Sequence, residues 1–321
     1  MRKRTLFFGT PEVAVPFLET LHKHTDIALV ITQPDRPRGR GMIITPCPVK
    51  AKALELGLKV VSPEKVSEIE PYIQLAQADY GVAVAYGKIL KQHVIDMPKL
   101  GIINIHFSLL PLFRGAAPVQ HSLFAGVAES GVSAFWIDAG MDTGPIFLQA
   151  KTDVLPDYNA ITLFNKLIPL GCDLLEECVK KIEDGEILKT PQIHPGAPKP
   201  SYAPMINKAD TVINFIDTDA VTANNRVRGL ACGPFAKAEL KKEGTQEFLQ
   251  ILKSSLPKDK NIDDAAQPGT IISVERDSGL IVKCYKGALA IQTVRPAGKK
   301  EMNAFDYANG YKLKKGDRIF K

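Results

Sequence analysis

The sequence predicts an α/β domain built on a mostly parallel sheet, followed by a smaller domain rich in β-strands. Three observations predict this fold. Apolar segments of strand length alternate with helix-forming segments from residue 4 to residue 183. The strands are almost continuously apolar, which is typical of a parallel sheet covered by helices on both faces. A Pro-rich segment, 189–209, then precedes short β-forming segments that are separated by glycine turns.

The first β-α-β unit shows how the elements are recognised. Residues 4–8 form an apolar strand, and residues 27–31 form a second strand rich in β-branched residues. Between them, Thr10 and Pro11 predict a helix start, because a threonine side chain caps free backbone N–H groups and proline suits the first helical turn. The helix is expected to extend to about Leu21.

The same alternation continues to residue 188. Leucines at helical spacing predict a long amphipathic helix over 162–183. A strand over 146–151 is expected to lie antiparallel to its neighbour. The other predicted elements are helices at 51–56, 90–94 and 116–125 and strands at 79–85, 102–106 and 131–138.

The C-terminal third of the chain predicts a small β-barrel. Its expected strands are short and are separated by glycines, and they cover 236–240, 269–274, 279–284 and 288–294. The prolines of the preceding segment favour an extended linker over regular structure. The predicted organisation is therefore a first domain at 1–188, a linker at 189–209 and a second domain at 210–321.

The composition excludes several protein classes. With 45% hydrophobic and 24% charged residues, the chain is typical of a globular protein and unlike a disordered one. No apolar run reaches the roughly 20 residues that span a bilayer, so no membrane partner is expected. The short apolar run after Met1 is interpreted as a first strand and not as a secretory signal. Five scattered cysteines without a C-x-x-C pair favour a reduced, cytoplasmic protein.

The formal net charge of +6 is distributed unevenly along the chain. From Lys283 to the C-terminus, ten Lys and Arg residues accompany three acidic residues. The segment 33–50 is rich in Pro and Gly and carries Arg36, Arg38 and Arg40. Long loops inside compact domains are usually functional or disordered. Composition therefore leaves two interpretations open, a solvated basic loop or a surface that binds a polyanion.

Several common catalytic motifs are missing from the sequence. It contains no G-x-G-x-x-G after the first strand, no G-x-x-x-x-G-K-[ST], no H-E-x-x-H and no G-x-S-x-G. No cysteine or histidine cluster has the spacing of metal ligands, so no metal site is predicted.

The densest polar cluster lies at the end of the strand predicted over 102–106. Asn104 and His106 are two residues apart, so their side chains point to the same side of the strand, at the carboxyl end where open α/β sheets bind ligands. The next strand also ends in a polar loop, which contains Asp142. An amide, an imidazole and a carboxylate together can hold a carbonyl oxygen and move a proton. The structural alternative is a histidine that only satisfies its own hydrogen bonds, beside an ordinary turn.

The segment 104–111, Asn-Ile-His-Phe-Ser-Leu-Leu-Pro, followed by Arg114-Gly115 and later Asp142, resembles the signature of the folate-dependent formyltransferases. Further features resemble the members of that family that act on methionyl-tRNA. They are Phe-Phe-Gly-Thr-Pro-Glu at 7–12, the arginine-rich segment 33–50 and Pro-Ala-Gly-Lys-Lys at 296–300.

The resemblance implies a Rossmann-like catalytic domain that binds 10-formyltetrahydrofolate and an OB-like β-barrel that helps to hold tRNA. The implied reaction moves the formyl group to the α-amino group of methionine on initiator tRNA. The implied catalytic residues are Asn104, His106 and Asp142, with a protonated His106 and Asn104 stabilising an oxyanion. The implied folate-binding residues are Val84, Ala85, Tyr86, Gly87, Ser108, Leu109, Leu110, Pro111, Asp138, Ala139, Gly140 and Met141. The implied tRNA-binding residues are Arg36, Arg38, Arg40, Lys299 and Lys300.

Three other functions fit parts of the same pattern. A formyltransferase that acts on glycinamide ribonucleotide or on an amino sugar nucleotide would use the same three catalytic residues. A hydrolase would pass the formyl group to water. A non-catalytic RNA-binding protein would use only the scaffold. The arginine-rich segment and the basic C-terminal region favour tRNA over a small acceptor, and the intact catalytic residues favour an enzyme.

Overall fold

The computed structural model of the chain describes residues 2–38, 41–241, 246–257 and 265–320. The chain divides into two compact units. The first contains Met1–Pro118, Glu129–Asp153 and Asn165–Ala203, and the second contains Val119–Ala128, Val154–Phe164 and Pro204–Lys321. Most of the Pro-rich segment therefore belongs to the first unit. The predicted boundaries 1–188, 189–209 and 210–321 stay a prediction.

The first unit is built on a seven-stranded sheet in the order β5-β2-β1-β6-β7-β8-β9. Its strands, with those of a separate hairpin, are β1 (Arg4–Gly9), β2 (Asp26–Ile31), β3 (Arg36–Arg38), β4 (Ile43–Thr45), β5 (Val60–Val61), β6 (Tyr80–Val84), β7 (Ile102–His106), β8 (Glu129–Trp136) and β9 (Ile146–Asp153). The pairs from β5 to β7 are parallel, whereas β8 pairs antiparallel with β7 and with β9. The predicted mostly parallel sheet is confirmed.

The central strands are apolar because both faces of the sheet are covered. Leu6, Phe7 and Phe8 are all completely buried in β1. The helices, in chain order, are α1 (Val15–His24), α2 (Pro48–Glu55), α3 (Glu70–Ala76), α4 (Gln92–Ile95), α5 (Pro118–Phe124) and α6 (Ala160–Glu183). The sheet therefore places the carboxyl ends of β1, β6 and β7 side by side at one edge.

The predicted capping role of Thr10 is wrong. A short 3-10 turn at Glu12–Ala14 precedes α1, and the residue at its N-cap is Pro11. The Thr10 hydroxyl instead donates a hydrogen bond of 3.0 Å to the backbone carbonyl of Tyr86. The side chain therefore joins the ends of β1 and β6, which is a tertiary contact that local sequence does not reveal.

The segment 33–50 contains an antiparallel hairpin formed by β3 and β4. Arg36 lies opposite Thr45 in this hairpin. At its base, Lys50 Nζ donates to Asp35 Oδ2 over 2.7 Å. The expectation of an irregular loop is therefore wrong for these residues, although the large apolar side chains beyond β3 remain solvent-exposed. These are Met42, Ile43 and Ile44, each about two-thirds exposed.

The second unit contains most of α5 and the start of α6, together with an antiparallel sheet and two further helices among the described residues. The elements of this sheet and these two helices are α7 (Ala220–Gly229), β10 (Ala236–Leu240), β11 (Glu247–Ser255), β12 (Ile271–Glu275), β13 (Gly279–Lys283), β14 (Ala288–Arg295), β15 (Met302–Asn303) and α8 (Ala304–Gly310). The strands follow the order β10-β11-β14-β13-β12. Phe320 bridges to Leu240 at the end of β10, and Arg318 bridges to Thr270 just before β12. This C-terminal segment thus closes the sheet, as the predicted barrel requires.

Candidate active site

His106 lies at the carboxyl end of β7 and is only 5% exposed. Two acceptors flank its imidazole ring. Nε2 lies 2.9 Å from the backbone carbonyl of Phe113, and Nδ1 lies 3.7 Å from Oδ2 of Asp142. The edge-on ring of Phe135 contacts the imidazole from β8. The arrangement fixes the orientation of the ring from both nitrogens.

Burial lowers the pKa of His106, while the Asp142 carboxylate and the Phe113 carbonyl act in the opposite direction. The neutral imidazole is thus favoured at rest. Because the Phe113 carbonyl can only accept, the short contact assigns the proton of the neutral ring to Nε2. The protonated His106 that the resemblance implies for the reaction stays a prediction. The two acceptors stabilise the imidazolium when the ring takes up a proton.

Asn104 shares the strand and the face of His106. It pairs with Ala83 of β6 on one side and with Phe135 of β8 on the other. Its side chain is half-buried, and no hydrogen-bond partner for its amide occurs among the residues that the structure describes. A polar amide at a sheet edge without a protein partner is suited to bind a substrate oxygen.

Asp142 lies on the loop between β8 and β9 in a left-handed backbone conformation, with φ of 53°. Its Oδ2 accepts a hydrogen bond of 2.7 Å from the backbone N–H of Gly115. The same oxygen faces His106. The turn before it is held by Asp138, whose Oδ1 accepts from Gly140 N and from Thr143 Oγ1. Sequence reasoning placed Asp142 near His106, and the structure brings the two together.

The Pro-rich segment contributes two residues that sequence reasoning missed. Gln192 is 3% exposed and accepts two hydrogen bonds from the buried guanidinium of Arg114. Its amide nitrogen donates to the backbone carbonyls of Asp142 and Gly144, over 2.9 and 2.8 Å. Ser201 Oγ accepts from the backbone N–H of Phe113. This part of the chain thus packs against the site within the first unit, while its role as a linker stays a prediction. No motif in the sequence marks Gln192 or Ser201.

The predicted folate-binding segment 108–111 forms a tight turn after β7. Ser108, Leu110 and Pro111 are buried, whereas Leu109 is partly exposed. The Ser108 hydroxyl donates to the carbonyl of Leu112 over 2.6 Å, and Gln149 donates to the carbonyl of Leu110 over 2.9 Å. The buried side chains therefore shape the turn. Contact of this segment with folate stays a prediction.

The predicted folate-binding segment 84–87 follows β6 directly. Tyr86 is buried against Phe8, and burial raises its pKa to about 12. Its backbone carbonyl accepts from Thr10 Oγ1 and, over 2.9 Å, from Gln33 Nε2. A side chain at Gly87 would collide with the Gln33 amide, and Gly87 has φ of 78°. Gln33 therefore connects the base of the hairpin to this segment.

The predicted folate-binding residues 138–141 form the exposed part of the loop that ends at Asp142. Ala139, Gly140 and Met141 are exposed, and the Met141 side chain is 65% accessible. These residues are therefore accessible to a ligand next to Asp142, and their contact with folate stays a prediction.

The predicted tRNA-binding residues occur in both units. Arg36 pairs with Glu64 over 3.0 Å on the surface of the first unit. Arg38 belongs to β3, but its side chain lies outside the described residues, as does Arg40. In the second unit, the Lys299 ammonium lies over the ring of Tyr311, and Lys300 is exposed. Their contact with tRNA stays a prediction.

The residues that the structure describes lack two kinds of feature. They include no group of three or more His, Cys, Asp or Glu side chains that could hold a metal ion. They also include no helix with the length and apolar character needed to cross a membrane. All five cysteines are free thiols.

Comparison with known proteins identifies the family. Residues 3–179 match the family described as Formyl transferase, and residues 205–312 match its C-terminal domain. The methionyl-tRNA formyltransferase of Elusimicrobium minutum is 57% identical, with 99% of each chain covered. That of Synechococcus elongatus is 39% identical, with 98% of each chain covered.

Solved structures share the fold at low identity. An N-formyltransferase from Helicobacter canadensis, in complex with folinic acid and dTDP-3-aminofucose, has a TM-score of 0.63 and 19% identity, over 91% of this chain and 99% of its own. HypX from Aquifex aeolicus, in complex with tetrahydrofolic acid, has a TM-score of 0.62 and 14% identity, over 97% of this chain but 48% of its own. The chain belongs to the formyl transferase family, and its full-length relatives at 57% and 39% identity are methionyl-tRNA formyltransferases.

Proposed function

We propose that this chain transfers the formyl group of 10-formyltetrahydrofolate to the α-amino group of methionine on initiator tRNA, and that Asn104, His106 and Asp142 carry out the transfer. One observation carries the assignment of the residues. The buried His106 lies between a carboxylate and a carbonyl, on the same strand as the Asn104 amide, which has no hydrogen-bond partner among the described residues. The full-length similarity to methionyl-tRNA formyltransferases supports the assignment of the substrates.

The amine nitrogen attacks the formyl carbon, and negative charge develops on the formyl oxygen. The Asn104 amide donates a hydrogen bond to that oxygen. A donor of this kind, placed before the reaction, contributes on the order of 10²–10³ in rate. No nucleophilic side chain is required, because the amine of the acceptor is itself the nucleophile.

The proton lost by the amine is taken up at the imidazole of His106. The resulting imidazolium is stabilised by Asp142 on one side and by the Phe113 carbonyl on the other. The proton is then delivered to N10 of the folate as the bond between N10 and the formyl carbon breaks. One C–N bond thus forms, one breaks, and the proton moves from the amine to the leaving nitrogen.

The formyl donor is consumed in the reaction and is therefore a substrate. Its flat bicyclic ring needs apolar surface at the edge where β6 and β7 end. Ile89 and Met141 supply such surface, because both are strongly exposed apolar side chains on the segments that follow β6 and β8. The residues present fit the donor. The segments 84–87, 108–111 and 138–141 are proposed to hold it.

The hairpin arginines and the basic residues of the second unit are proposed to hold the tRNA. Arg36 is more than half exposed, and the apolar side chains beside it lack protein cover. Arginine binds phosphates and also stacks on unpaired bases. A cytoplasmic location is part of the proposal, because a tRNA acceptor and the free thiols of all five cysteines support it.

The test is a comparison of formyl acceptors. The protein is mixed with 10-formyltetrahydrofolate and either methionyl-tRNA, glycinamide ribonucleotide or an amino sugar nucleotide, and products are measured by mass spectrometry. We expect N-formylmethionyl-tRNA as the main product. Faster formylation of a small acceptor would contradict the proposal. Hydrolysis of the donor to formate without formylation of methionyl-tRNA would contradict it too.

The tRNA-binding role has a separate test. Replacing Arg36, Arg38 and Arg40 by alanine should raise KM for tRNA and weaken its salt dependence, with donor binding unchanged. A matched control replaces three exposed lysines of the same unit, Lys23, Lys151 and Lys166. An equal increase of KM for tRNA in both triple variants would count against the role of the hairpin. So would a loss of donor binding in the arginine variant as large as its loss of tRNA binding.

A further inference from the structure

Gln192 joins three separate parts of the first unit. Its side-chain oxygen accepts from Nε and Nη2 of Arg114, over 3.1 and 2.7 Å. Its side-chain nitrogen donates to the backbone carbonyls of Asp142 and Gly144. All of the hydrogen-bonding capacity of the amide is thus used inside the protein, at 3% exposure.

The loop that carries Asp142 needs such support. Asp142 has a positive φ, a conformation that is uncommon outside glycine and that aspartate, asparagine and histidine adopt more often than other residues. At Gly144, a Cβ atom would collide with the carbonyl of Trp136, so the chain is tightly packed there. Gln192 holds the backbone between these two positions.

The Asp142 carboxylate depends on that backbone. Its Oδ2 is placed by the Gly115 N–H at 2.7 Å and lies 3.7 Å from Nδ1 of His106. Gly115 directly follows Arg114, whose guanidinium Gln192 also holds. The peptide of Asp142 and the side chain of Arg114, the residue before Gly115, are therefore both bound to one buried amide.

We propose that Gln192, contributed by the Pro-rich segment, is a positioning residue that holds the Asp142 carboxylate against His106. The inference rests on the proposed function and deepens it, because it makes the segment after α6 a working part of the active site. Gln192 itself does not touch the reacting atoms in this assignment.

The groups that face His106 determine how its pKa should change when Gln192 is replaced. They are the Asp142 carboxylate at Nδ1, the Phe113 carbonyl at Nε2 and the uncharged ring of Phe135. The Arg114 cation lies in the adjacent turn, held by Gln192. If Asp142 moves away, His106 loses the carboxylate that favours its charged form, and its pKa decreases.

The first variant is Gln192→Met, which keeps the volume and removes every hydrogen bond. We expect kcat to fall on the order of 10- to 100-fold, since a misplacement of about 1 Å can cost a factor of 10². KM for tRNA should stay within about twofold, because the hairpin is untouched. NMR titration of the His106 ring should show a lower pKa, without any substrate present.

Two further variants separate positioning from simple stability. Gln192→Met leaves Arg114 buried without its partner, so a double variant, Gln192→Met with Arg114→Met, removes the buried cation as well and should restore the melting temperature. Turnover should stay low, because the two carbonyls still lack their donor. Gln149→Met is the matched control, since it removes an amide that donates to Leu110 and not to Asp142; it should leave the His106 pKa unchanged.

The outcomes distinguish this inference from the proposed function. Turnover that recovers with the melting temperature in the double variant would overturn the positioning role. An unchanged His106 pKa and kcat in folded Gln192→Met would overturn it too. The Gln192→Met variant could show a lowered His106 pKa while the wild-type protein forms no N-formylmethionyl-tRNA. That pair of results would support the positioning role and reject the proposed function.

Discussion

The charge of Asp142 is central to the proposed proton transfer, and Asp142→Asn tests it with little change of shape. The asparagine oxygen can still accept from the Gly115 N–H, as Oδ2 does at 2.7 Å. What is lost is a full negative charge at 3.7 Å from Nδ1 of His106. At an effective dielectric constant of about 20, this charge stabilises an imidazolium by roughly 4 kcal/mol.

A loss of about 4 kcal/mol corresponds to a rate reduction on the order of 10³ if the full interaction is made in the transition state. The assay is single-turnover formylation of methionyl-tRNA at saturating donor, where the rate of the chemical step is observed directly. Asp138→Asn is the control on the same loop, and it should alter donor KM more than the chemical step. A rate for Asp142→Asn within about tenfold of the wild type would refute the electrostatic reasoning.

Three further predictions follow from contacts outside this pair. Gln33→Leu removes the donor to the Tyr86 carbonyl, so steady-state kinetics should show KM for the donor raised about 3- to 10-fold, with kcat changed less. Lys50→Met breaks the ion pair at the base of the hairpin and should raise KM for tRNA, while calorimetric binding of 5-formyltetrahydrofolate stays unchanged. Hydrogen bonds from Lys99 and from the backbone lower the pKa of the Asp79 carboxyl, so its stabilisation is present above the unfolded pKa of about 3.9 and is lost as pH falls through the folded value. Asp79→Asn should therefore lower the free energy of urea unfolding by about 1 kcal/mol at pH 7, and this effect should decrease as the pH falls through the folded pKa.

The strands of the first unit were predictable because buried strands have a characteristic apolar composition. A parallel strand covered on both faces has to be apolar along its length, and the predicted strand 102–106 coincides with β7. The proximity of His106 and Asp142 was expected from two strands ending at one edge, but β8 runs antiparallel to β7 and ends beside Ile103. The loop after β8 instead brings Asp142 back to His106, where the Gly115 N–H binds its carboxylate. The catalytic roles of these residues stay a prediction.

Other features depend on tertiary contacts that local patterns do not encode. A threonine hydroxyl before a helix can cap it or bind elsewhere, and Thr10 binds the Tyr86 carbonyl. The prolines around Gln192 exclude helix and central strand, but they do not indicate that the segment returns to the Asp142 loop. The hairpin of β3 and β4 was missed because Pro37 lies within β3, where a proline disfavours a strand.

The central claim is that His106 performs the chemistry of formyl transfer and is not a structural histidine. The most direct test is the single-turnover rate constant for formation of N-formylmethionyl-tRNA by His106→Ala, with the fold verified by circular dichroism. We expect a rate constant reduced by at least about 10²-fold in a folded protein that still binds 5-formyltetrahydrofolate and tRNA. A folded variant that transfers the formyl group at nearly the wild-type rate would contradict this claim.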